Sequence, residues 1–159
     1  MNQPVRQVGL MLARFAMSAW VGAATLFVIN GVRMVTSDAF DSAGRDHVAL
    51  IRFPAYYATG ATLMFVTLVG LLVARGLPRL TKRRWVTLFV ITCLASVVML
   101  ADYLWIYCPL ADMITPPGGA RPQGFRALHH ASEAINTLQV GLCLTAAMMI
   151  NWPVSGERQ

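Results

Sequence analysis

Apolar positions along this chain run through four uncharged stretches, 15–32, 53–74, 85–101 and 134–152, and only short polar connections separate them. The hydrocarbon core of a bilayer takes about 20 helical residues to cross. Only segments that satisfy their own backbone hydrogen bonds survive there. The pattern therefore predicts an all-α, integral membrane four-helix bundle in one domain, with spans near 8–32, 53–75, 85–107 and 125–152.

The connections refine this. Asp41 and Arg45 stand four apart, and Phe40, Val48 and Ile51 share one helical face. They predict a short interfacial helix over 39–51, between the first two spans. Pro54 then falls in the first turn of the second span, where its missing N–H costs nothing. The first helix is expected to begin near Gln7, and its Ser18, Ala19, Gly22 and Ala23 follow the small-xxx-small spacing of close helix packing. Gly76 and Pro78 end the second span, Trp85 opens the third, and Trp105 and Tyr107 close it. The run Thr115-Pro116-Pro117-Gly118-Gly119 is expected to form a loop before a last helix beginning near Phe125.

Composition agrees with a membrane protein: 57% of the 159 residues are hydrophobic, 13% are charged, and the mean hydropathy is +0.57. A soluble domain carries about 25% charged residues. The net charge of +6 is explained by topology rather than by nucleic acid, because Arg75, Arg79, Lys82, Arg83 and Arg84 crowd into one short connection. Such loops mark the cytoplasmic side. Both termini are therefore expected inside, in a bacterial inner (plasma) membrane, with the lipid bilayer as the first partner. A homo-oligomer or another membrane protein is the expected further partner. The first span reads as a retained anchor, since its apolar run continues eight residues past the small-residue site at Gly22-Ala23-Ala24. Cys93, Cys108 and Cys143 are too widely spaced for a zinc knuckle or a disulfide framework.

Candidate chemistry gathers in the last span. At about 100° per residue, Arg126, His129, His130, Glu133, Asn136 and Thr137 fall within about 120° of one face, which is expected to point at other helices or a water-filled mouth. Asp102 and Tyr103, Asn30 and Arg33, and Tyr56 and Tyr57 lie at a similar depth on the other spans. Arg33 and Arg126 are expected to balance Asp102 and Glu133. The candidate ligand-binding set is thus His129, His130, Glu133, Asn136, Arg126, Asp102, Arg33 and Asn30, at the external helix ends, for an ion or small molecule.

No cofactor is expected. A metal reading would use His129 and Glu133, with Asp102 as a further candidate, but the His–Glu pair alone supplies two of the four ligands a structural site needs. The third histidine, His47, sits in a connection, so bis-histidine haem has no partner on a second span. The nine methionines show no Met-x-x-Met ladder and read as gap-fillers. No nucleophile–base pair, phosphate loop or paired catalytic carboxylates appear, so the expected activity is non-enzymatic. The alternatives are a structural or assembly subunit, a haem- or quinone-binding redox subunit, or a metal transporter.

Two segments carry a resemblance. Arg52-Phe53-Pro54-Ala55-Tyr56-Tyr57 is similar to the Phe-Pro-x-Tyr start of a second helix, and Leu128-His129-x-x-Ser132-x-x-x-Asn136 to a Leu-His-x-x-Ser signature followed by Asn. Both belong to the transmembrane protein 205-like family, a domain of unknown function that this chain resembles over nearly its whole length. His130 departs from the usual Arg, and the first external connection is longer and more acidic. The resemblance implies a four-helix membrane fold and draws attention to His129, Ser132 and Asn136 without giving them roles.

Overall fold

In the computed structural model, residues 2–78 and 80–153 are described. They form α1 (Gln3–Thr36), α2 (Ser42–Val73), α3 (Lys82–Asp102), a π turn (Tyr103–Tyr107), α4 (Cys108–Met113) and α5 (Phe125–Asn151). The π turn and α4 continue α3, so four long helical rods result, each long and apolar enough to cross a membrane. α1 packs on α2 and α5, and α3 packs on the same two helices, so the rods close into a four-membered ring. Short connections alternate their direction, as in up-down bundles.

Three expectations about element bounds are corrected. α1 begins at Gln3, with Pro4 in its first turn, where no intrahelical donor is needed. The helix expected over 39–51 exists as the opening turns of α2 and not as a separate element. Among the described residues Asp41 forms no ion pair with Arg45. Its Oδ1 accepts from Gly44 N at 2.7 Å and caps α2, which favours continuous helix from Ser42. Pro54 consequently lies inside α2. The third rod does not close at Trp105 and Tyr107 either. Pro109 cannot return a hydrogen bond to the carbonyl of Trp105, and the ladder loosens just before it, with Cys108 N–H reaching back to Tyr103 O.

The small residues of α1 also work differently from expectation. Gly22 is exposed, with nothing near a would-be Cβ, whereas Gly9, Ala13, Ala16 and Ala24 are buried. A Cβ on Gly70 would meet Gly9 O at 2.6 Å, so α1 and α2 touch backbone to backbone at that end. At mid-bundle, Gly60 lies under the Trp20 ring, where a Cβ would come within 2.6 Å of it.

The two ends of the bundle differ in chemistry. One end gathers Arg6, Arg14, Arg75, Lys82, Arg83 and Arg84, and the arginines there satisfy backbone carbonyls of other rods. Arg14 Nε donates to Ile150 O at 3.0 Å, and Arg84 donates to Met149 O and to Trp152 O at 2.6 Å. These guanidinium groups cap the C-terminus of α5, where carbonyls lack partners and the helix dipole is negative. The other end carries the loop 114–124. Asp46, 3% exposed, holds this loop by accepting from Gly118 N and Arg121 Nη1, both at 3.0 Å. Gly118 fits because its φ is +85° and a Cβ would press on Ala43.

Candidate functional site

Along α3 and its continuation, the buried positions are Leu88, Thr92, Ala95, Met99, Asp102, Ile106 and Leu110. Alternating steps of four and three are those of a helix face turned to the core. Asp102 therefore points inward because Met99 does. The π turn adds a residue directly after it, and the register then advances by two steps of four. Tyr103 and Tyr107 are thereby set beside Tyr57, with ring centroids at 5.1 and 5.2 Å.

Asp102 is 1% exposed. Its Oδ2 accepts from Tyr57 OH at 2.5 Å and from Asn136 Nδ2 at 2.8 Å, while Oδ1 accepts from Ser132 Oγ at 3.1 Å. The donors come from α2 and α5, so the carboxyl group ties three rods together. A second layer completes the cluster. Tyr56 OH donates to Asn136 Oδ1 at 3.3 Å, and Asn136 Nδ2 also reaches Ser132 O at 3.1 Å. Trp20, Phe27 and Phe53 wall it on the α1 side through rings in successive contact from Trp20 to Tyr56, Phe27 and Phe53, the first two pairs tilted and the last edge-to-face. Arg52 braces this wall, lying 4.7 Å over Phe27 and donating to Phe27 O at 3.1 Å.

No cation touches the carboxyl group among the described residues. Arg33 and Asn30 are exposed on the last turns of α1, and Arg126 is exposed on the first turn of α5. The expected neutralisation of Asp102 and Glu133 by Arg33 and Arg126 is therefore corrected: Asp102 is held by neutral donors, and Glu133 pairs with histidines. His130 Nδ1 lies 3.0 Å and His129 Nε2 3.4 Å from the Glu133 carboxylate, all three side chains being at least half exposed.

The expected single polar face is thus divided in two. The inward sector of α5 is centred on Ser132, Gln139 and Cys143. At about 100° per residue, Asn136 is the edge of the polar arc that overlaps this sector, while His130, Arg126 and Thr137 lie over 100° away from Ser132. The arc was legible in the sequence; its orientation depends on which residues face the core. Asp102 and Asn136 are brought together. His129, His130 and Glu133 form a separate outward group, and Arg126, Arg33 and Asn30 join neither.

Gln139 is the member the sequence reading overlooked. It is 1% exposed, and its Nε2 donates to the sulfur atoms of Met64 at 3.5 Å and Cys143 at 3.4 Å. Among the described residues, its Oε1 is buried without a hydrogen-bond partner, as is Trp20 Nε1. The spacing Ser132, Asn136, Gln139, Cys143 was the available signal, since steps of four, three and four place all of them on one stripe. This stripe carries polarity from Asp102 toward the bundle centre. Among the described residues, no group of three or more His, Cys, Asp and Glu side chains is arranged to hold a metal ion.

Comparison of the chain with protein-family models, with curated proteins and with solved structures gives no match.

Proposed function

We propose that this multi-pass membrane protein is a non-enzymatic, ion-binding member of the transmembrane protein 205-like group, with Asp102 as the binding carboxyl group. One observation carries the reading: a fully buried acidic side chain is met by three neutral donors and, among the described residues, by no positive charge. Buried charges are normally paired, because uncompensated desolvation is expensive. A small hard cation supplies the missing charge and prefers oxygen ligands. Asp102, the Tyr57 and Ser132 hydroxyl groups and the Asn136 amide oxygen are of that type. Gln139 Oε1, unpartnered one turn deeper, is a further oxygen on the same stripe. The family reading draws support from the two motif segments meeting in space, Tyr56 on Asn136 and Tyr57 on the carboxyl group that Ser132 and Asn136 also hold. In this proposal the basic end is cytoplasmic and the Asp102 end faces outward.

The competing reading is a structural or assembly subunit, favoured by the mutual satisfaction of the cluster and by the outward Glu133–histidine group that a partner protein would cover. Thermal melts of the detergent-solubilised protein in sodium, potassium and choline chloride at one ionic strength separate the two. Ion binding predicts a cation-dependent rise in Tm, equivalent to about 2.7 kcal/mol at a hundredfold excess over Kd. Asp102→Asn, isosteric and neutral, abolishes that rise. A wild-type Tm indifferent to the cation, with Asp102→Asn simply unstable, overturns ion binding in favour of the structural reading.

A further inference from the structure

All six acidic residues in the described part of the chain, Asp38, Asp41, Asp46, Asp102, Asp112 and Glu133, lie toward the Asp102 end. The opposite end holds Arg6, Arg14, Arg75, Lys82, Arg83 and Arg84 with no carboxylate among the described residues. Beside α1 at this end is a cavity of about 350 Å³ whose lining divides by polarity. Gln3, Gln7 and Arg14 supply its polar groups, and Leu10, Met11 and Leu77 its apolar part. Arg14 spends Nε on Ile150 O, and its two Nη groups make no hydrogen bond among the described residues. Met11, at 66% exposure, continues the apolar part onto the outer surface of the bundle, where lipid lies.

The geometry points to a binding site for the headgroup of an anionic phospholipid in the cavity between the start of α1 and the α2–α3 connection. Arg14 and the two glutamine amides meet the phosphate as donors, a role for which the guanidinium fork is well shaped. The first acyl segments lie on Leu10, Met11 and Leu77. Free phosphate would fill only the polar half, and a zwitterionic lipid would gain less from the cations around it. Basic pockets between membrane helices are known acceptors of such headgroups.

The test uses the full chain in detergent, titrated with phosphatidylglycerol or phosphatidylcholine of equal chain length, with bound lipid counted by native mass spectrometry. Phosphatidylglycerol is expected to bind at least about fivefold more tightly, the effect of roughly one cationic contact. Gln7→Glu places a negative charge in the cavity at an exposed position and is expected to remove about that factor, while Arg83→Gln, exposed and outside the cavity, changes it less than twofold. If Gln7→Glu fails to fold, Gln3→Glu gives the same reading. Equal affinity for the two lipids, an equal loss on Arg83→Gln, or competition by inorganic phosphate that displaces the lipid fully would each overturn the assignment.

Discussion

At the scale of single residues, the defining feature is a carboxyl group placed by helical register, not by an ion pair. Tyr57→Phe removes one of its three donors without changing shape, and about 1–3 kcal/mol of stability is expected to go with it. Chemical unfolding in detergent measures this directly, and a loss below a few tenths would show that the 2.5 Å contact contributes nothing. Gly60 is the other sensitive position, since a Cβ there would come within 2.6 Å of the Trp20 ring and 2.8 Å of Met99 Sδ. Gly60→Ala is expected to destabilise by about 1–3 kcal/mol, as overpacking does, whereas Gly22→Ala, open on its surface, is expected to be neutral or slightly stabilising. Paired thermal melts check the contrast. The sequence shows that Asp102, Tyr57 and Asn136 share a depth, because depth follows from counting residues along each span. It does not show that Arg33 and Arg126 point away, because rotation about a helix axis is decided by the neighbouring rods.

At the scale of elements, number and order were readable because lipid imposes long uncharged runs that nothing else in a short chain explains. Boundaries were less so. The fusion of the 39–51 segment into α2 rests on the Asp41 cap and on Pro54 being tolerated within a helix, and neither leaves a periodic signal. The π turn arises from Pro109 acting on a carbonyl four residues earlier, an effect that hydropathy does not register. The prolines and glycines of 115–119 mark a loop there, but its anchorage on Asp46 joins residues 75 apart in sequence. Asp46→Ala is expected to free this loop and to speed proteinase K cleavage within 114–124 by about tenfold or more, the equivalent of losing hydrogen bonds to a charged group. Helix content by circular dichroism should stay unchanged. Cleavage at the wild-type rate would mean that the clamp does not hold the loop.

At the scale of the whole molecule, charge among the described residues is sorted by end: cations cap α5 and line a cavity at one end, and the carboxyl groups gather at the other. The two proposed binding sites, for a cation at Asp102 and for an anionic headgroup beside Arg14, stand at opposite ends of the same rods. Each needs those ends to be on opposite sides of one bilayer. Substituted-cysteine labelling tests this most directly. Arg83→Cys and Arg121→Cys, each made in a background with Cys93, Cys108 and Cys143 replaced by Ala, are reacted in sealed vesicles with a membrane-impermeant maleimide. The account predicts that one of the two positions reacts in intact vesicles and the other only after permeabilisation. Equal reaction of both in intact vesicles would contradict it.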